Sequence, residues 1–130
     1  MKILLIEARF YPEIADLQLD GAKNRLQEEN IAYDVISLAG ALEIPPAISM
    51  LRGKYDGFVA LGCVIRGETY HFEIVANESA RGIMDLGLEG LAIGNAILTV
   101  ENKAQALERA EEKGKHAVEA CLQLVDIKNG

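Results

Sequence analysis

Apolar residues follow two alternating rhythms along this chain. Runs at 3–7, 31–38, 57–64 and 91–98 are short and rich in Ile, Leu and Val. Each predicts a β-strand. The third, from Gly57 to Val64, contains no polar side chain and predicts a strand covered on both faces. Between the runs, apolar residues recur every three or four positions, the spacing of a helix face. Pro12 suits the first turn of a helix reaching about residue 29, with Ile14, Leu17, Gly21 and Leu26 near one face. Pro45-Pro46 opens a short helix through Leu51, and Gly53 fits its stop. A third helix is expected over 70–87. The last is expected over 102–127, where Leu107, Ala110, Ala117, Val118, Cys121, Leu122 and Val125 share helical spacing and Gly114 marks a kink or break.

Strands alternating with helices imply right-handed crossovers and a parallel sheet. The expected fold is a three-layer α/β/α sandwich around a central four-stranded parallel sheet. No linker, repeat or low-complexity stretch divides it, and 130 residues suit one domain, 1–130, with one core.

Composition narrows the function. Half of the residues are hydrophobic, which excludes intrinsic disorder. The net charge of -7 and the lack of a basic stripe argue against a nucleic-acid partner, although Arg66, Arg109 and Lys113 are candidates for a local cationic pocket. The N-terminal apolar run is too short for a signal peptide, and no run reaches the roughly 20 residues of a membrane span. A cytoplasmic location is expected, and the acceptor pattern Asn77-Glu78-Ser79 is set aside as coincidence. Cys63 and Cys121 lie within apolar patterns and read as reduced, buried thiols, with no metal-ligand spacing.

In an open α/β sheet, ligands bind beyond the carboxyl ends of the strands. Three loops follow those ends. The first, Ala8-Arg9-Phe10-Tyr11-Pro12, places aromatic rings at the rim, where Phe10 either stacks on a planar heterocycle or covers a helix end. The second, Ala39-Gly40-Ala41-Leu42-Glu43-Ile44-Pro45, allows a tight turn at Gly40 and close approach at Ala41. Glu43 either accepts from ligand hydroxyls or favours the next helix N-terminus through its dipole. The third runs from Leu61 to Phe72 and carries Arg66, Glu68, Thr69 and His71 just before a helix, a place that favours a phosphate. His71 is the acid/base candidate, because imidazole titrates near working pH. His116, among lysines on the last helix, reads as solvent-exposed.

Together these loops resemble the lumazine synthase family of riboflavin biosynthesis, in wording close to forms from α-proteobacteria. The resemblance is carried by Arg9-Phe10, Gly40-Ala41-Leu42-Glu43-Ile44-Pro45, Val64-Ile65-Arg66-Gly67-x-Thr69-x-His71-Phe72, Asn77-Glu78, Leu98-Thr99-Val100-Glu101-Asn102, Gln105-Ala106 and Glu108-Arg109-Ala110. It covers nearly the whole chain. It implies a flavodoxin-like sheet of strand order 2-1-3-4 and a transferase joining 5-amino-6-ribitylamino-uracil to 3,4-dihydroxy-2-butanone 4-phosphate, with no metal or organic cofactor. By the resemblance, His71 transfers protons and Phe10 stacks on the pyrimidine. Ala41, Leu42 and Glu43 line the ribityl chain, and Cys63, Val64 and Ile65 offer backbone to the ring. Glu68 and Thr69 hold the phosphate beside Arg109, with Lys113 nearby and Asn95 reaching in from a neighbouring subunit.

The family assembles as homopentamers, in some members closing twelve of them into a 60-subunit capsid, with the site between adjacent subunits. Ala106, Ala110, Gly114 and Ala117 therefore suit either close packing around a fivefold axis or the chain's own sheet. Three departures stand out: the usual extra N-terminal strand is lacking, Tyr11 replaces an asparagine, and the Arg109–Lys113 connector is shorter. A signalling phosphoacceptor would need an aspartate where Cys63-Val64 stands, and a flavodoxin-like carrier a Ser/Thr/Gly-rich loop in place of Ala8-Arg9-Phe10-Tyr11. A lumazine- or flavin-binding protein without turnover is the remaining alternative.

Overall fold

The computed structural model describes residues 1–130. Four strands, β1 (Lys2–Ala8), β2 (Ala32–Leu38), β3 (Gly57–Ile65) and β4 (Ile93–Val100), alternate with four helices, α1 (Pro12–Glu28), α2 (Ile44–Met50), α3 (His71–Leu88) and α4 (Lys103–Asn129). A single 3-10 turn at Ala41–Glu43 leads into α2. All pairings are parallel, in the order β2-β1-β3-β4. The result is the expected three-layer sandwich, with element ends within about two residues of the sequence expectation. The central strand β3 is buried from Gly57 to Gly62, as an apolar run covered on both faces must be. Asn30 and Gly90, at φ 55° and 97°, take the left-handed conformation that ends α1 and α3.

One layer holds α2 and α3, whose Ile44, Ile48, Ile83 and Leu86 pack on Leu4, Ile6, Phe58, Ala60 and Ile93. The other holds α1 and α4, where Ala22, Leu26, Val118, Cys121 and Val125 pack on Ile3, Leu5, Val59 and Leu61. Here backbones nearly touch. A Cβ on Gly21 would stand 2.1 Å from the Glu111 carbonyl oxygen, and one on Gly114 2.2 Å from that of Gln18. A Cβ on Gly94 would stand 1.8 Å from the Ala117 carbonyl oxygen, so β4 meets α4 on the same terms. The Gln18 side-chain amide, fully buried, donates to the Gly62 and Ala96 carbonyls at 2.7 and 2.8 Å and ties α1 to β3 and β4.

Two expectations are decided here. Gly114 does not break α4, which runs as one helix through 27 residues. Its missing side chain is needed for the approach of α1, and burial against that helix offsets the roughly 1 kcal/mol that Gly costs a helix interior. The stripe Ala106, Ala110, Gly114 and Ala117 is buried within the chain, against α1 and the sheet, rather than offered to a neighbour.

Candidate active site

The strand order turns back between β1 and β3, since the crossover from β1 leads to one side of the sheet and later strands add on the other. At such a switch point the loops part and leave a crevice beyond the strand ends. Here it has a volume of about 420 Å³, bounded by the loops after β1, β2 and β3 and by the first turns of α3. Its wall is mostly apolar, with Tyr11, Glu43, Thr69 and His71 contributing polar side chains to the lining.

The loop after β1 carries an aromatic platform. Phe10 is 71 % exposed, an unfavourable place for a phenyl ring without a partner. Tyr11 meets it edge to face, with centroids 4.9 Å apart at 71°. Beneath the loop lies a buried carboxylate, Glu7, which accepts from Arg9 at 2.8 Å and from the Ser37 hydroxyl at 2.6 Å. Arg9 also donates to Asp16 on α1. Hydrogen bonding to Asp16 in the first place, with Glu7 adding to it, raises the Arg9 pKa further. The loop is thus fastened from below while Phe10 faces the crevice.

The floor comes from the end of β3. Cys63, Val64 and Ile65 are partly buried and line the crevice. Burial pushes the Cys63 thiol up to about 11, so at neutral pH it is an uncharged wall group rather than a nucleophile. Beyond it the chain passes Gly67 and Thr69 into α3. His71 is the first residue of that helix, exposed, and its backbone N–H lies 3.4 Å from the Thr69 hydroxyl oxygen. Phe72 and Val75 complete the wall. The unpaired N–H groups of this helix start make the end of the crevice near Thr69 suited to an anion.

Nine residues named from the sequence therefore meet around one cavity: Phe10, Ala41, Leu42, Glu43, Cys63, Val64, Ile65, Thr69 and His71. Glu68, Asn95, Arg109 and Lys113 lie outside its lining. Asn95 sits in the middle of β4, exposed, its side-chain oxygen accepting from the Ile97 N–H at 2.9 Å. Arg109 is on the outside of α4, donating to the Gln105 carbonyl at 2.9 Å. Arg66, Arg109 and Lys113 form no cationic pocket within one chain, because Arg66 is held by Glu73 and Glu101 and, like the other two, is not among the residues lining the cavity. Tyr11 and Phe72 lie in loops the sequence points to but have no site role assigned there, and Val75 is not named from the sequence at all. Val75 had a signal, since it stands one helical turn after His71 on the same face.

The family model described as 6,7-dimethyl-8-ribityllumazine synthase matches residues 1–129. A protein of Rhizobium meliloti (strain 1021) named 6,7-dimethyl-8-ribityllumazine synthase 1 is 56% identical over 138 residues, covering 97% of this chain and 90% of its own. Proteins named 6,7-dimethyl-8-ribityllumazine synthase from Sphingopyxis alaskensis and Zymomonas mobilis are 52% and 55% identical. They cover 97% and 98% of this chain, and 94% and 96% of their own length. The aromatic platform, the β3–α3 loop and its histidine thus sit in a chain similar from end to end to these enzymes, and the chain belongs to the 6,7-dimethyl-8-ribityllumazine synthase family.

Proposed function

We propose that the chain condenses 5-amino-6-ribitylamino-uracil with 3,4-dihydroxy-2-butanone 4-phosphate in this crevice, with His71 as the proton-transfer residue. The observation that carries the proposal is that Phe10 and His71, from two different loops, line one cavity of about 420 Å³ at the switch point. The pyrimidine stacks on Phe10, and its ribityl chain lies along Ala41, Leu42 and Glu43. Backbone groups of Cys63, Val64 and Ile65 face the ring edge. The substrate phosphate sits at the start of α3, by Glu68 and Thr69. Its countercharge is Arg109 of a neighbouring subunit, with Lys113 and Asn95 from the same direction. All three lie outside the cavity of their own chain, which supports a site shared between subunits of a homopentamer.

The chemistry fits these groups. The pyrimidine amine attacks the ketone and loses water to give an imine. Phosphate leaves by elimination to give an enol that becomes a new ketone. The side chain then swings round so that the ribitylamino nitrogen closes the second ring on that ketone with loss of a second water. Each step moves a proton that one imidazole at the crevice wall is able to shuttle. Arg109 offers a planar fork to the phosphate, both bound and leaving. The reactants are themselves reactive, so holding them in register supplies much of the rate. No helix is long and apolar enough to cross a membrane, and we place the reaction in the cytoplasm.

Mixing the protein with both substrates and following lumazine fluorescence tests this directly. Turnover is expected, and His71→Ala is expected to slow it by roughly 10²-fold without abolishing it. Full turnover by His71→Ala would remove the histidine from the mechanism. Tight lumazine binding without any turnover would make the chain a binding protein. The mass of the native particle reads the pentamer.

A further inference from the structure

Arg66 stands beside the expected phosphate position, yet its guanidinium is already engaged. Nε donates to Glu101 at 2.8 Å, and a terminal nitrogen donates to Glu73. The same group lies over the Phe72 ring, 4.3 Å from its centroid. Glu73 and Phe72 belong to the first turn of α3, and Glu101 lies between β4 and α4. The connection between β3 and α3 has little else to hold it. The Arg66 N–H reaches the Val100 carbonyl at 2.9 Å, but no residue from 67 to 70 donates a backbone hydrogen bond to other backbone. Tyr70 accepts only from Ile74, inside the helix it starts.

We propose that Arg66 is a positioning residue: by gripping Phe72 and Glu73 against Glu101, it sets the place of His71 at the crevice wall instead of binding phosphate. This inference rests on the reading of His71 as the proton-transfer group. Phe72 carries the effect inward, since it is held by Arg66 on one side and lines the crevice on the other. Two neighbouring carboxylates satisfy the guanidinium, so an incoming phosphate would have to displace one of them and then face its charge. The Arg66 hydrogen bond holds the Glu73 carboxyl below its ordinary range, which keeps the pair ionised at working pH. A lysine would retain the charge but lose both the fork and the flat face.

The test compares Arg66→Met, Glu73→Gln and the double variant in the assembled enzyme. Each single change is expected to lower kcat about tenfold, a loss of the size that small misplacement produces. KM for the phosphate-bearing substrate should hardly move, and the double variant should be no worse than either single one. Hydrogen exchange over 66–75 should rise in all three, with the rest of the chain unchanged. The opposite pattern would overturn the inference: higher KM and weaker inhibition by inorganic phosphate in Arg66→Met, with Glu73→Gln fully active. Failure of the His71 reading shows separately, as full activity of His71→Ala, and leaves the exchange measurement to judge the clamp alone.

Discussion

The two faces of the sheet are covered on opposite terms. On the α1–α4 face, glycines let backbone meet backbone, and no room for adjustment is left at Gly21, Gly94 or Gly114. On the α2–α3 face, large aliphatic side chains fill the core and the helices touch each other sparingly. The crevice opens at the end of that second face. The difference teaches where this fold keeps its freedom: one side is a rigid mount, and the other borders the crevice in which the reaction is proposed.

The sharpest way to break that contrast is at Gly94. Gly94→Ala would drive a Cβ into the Ala117 carbonyl, and overpacking against backbone should cost about 3 kcal/mol, read as a lower denaturation midpoint. Gly114→Ala tests the same face with a competing term. Alanine favours a helix interior by about 1 kcal/mol, but the clash with Gln18 costs about 1–3, so a net loss of up to about 2 kcal/mol is expected. Phe10→Ala probes the open side. Its ring is exposed, so stability should stay within about 0.5 kcal/mol while KM for the pyrimidine rises about tenfold.

The comparison reverses sign at Gly87, near the end of α3, where a Cβ meets nothing within 4 Å. Gly87→Ala should stabilise by about 0.5–1 kcal/mol, against the loss at Gly114. The smallest effect is acidic loosening of the crevice side. Glu73 has a folded-state pKa below its ordinary 4.5, so its contribution is fully present above that value and fades as pH falls through the lowered one. Exchange protection of 66–75 should therefore survive to about pH 5 and decline only in more acid solution, while α1 and α4 hold.

Layering, element order and strand direction were legible because they follow from local pattern. The runs at 3–7, 31–38, 57–64 and 91–98 hold no helical period, and a short connection between parallel strands leaves few topologies. Phe10, Glu43 and His71 could be assigned to one rim because all three follow strand ends in a parallel sheet. What local pattern does not carry is distance through space. Gly114 has the composition of a helix breaker, and only the approach of Gln18 from α1 makes it a contact point. Arg66 has the composition of a phosphate ligand, and its two partners lie 7 and 35 residues away. Arg109, Lys113 and Asn95 resist a reading from one chain for a different reason: their proposed task belongs to a neighbour's crevice.

The unbroken course of α4 bears on that neighbour. Arg109 and Lys113 are four residues apart on one uninterrupted helix, which places them a turn from each other along a common ridge, with Cβ atoms roughly 6 Å apart. A mobile strap would let the two cations wander separately. A continuous rod fixes the span between their anchor points, and the proposed hold on a neighbour's phosphate would inherit that span like a ruler's division.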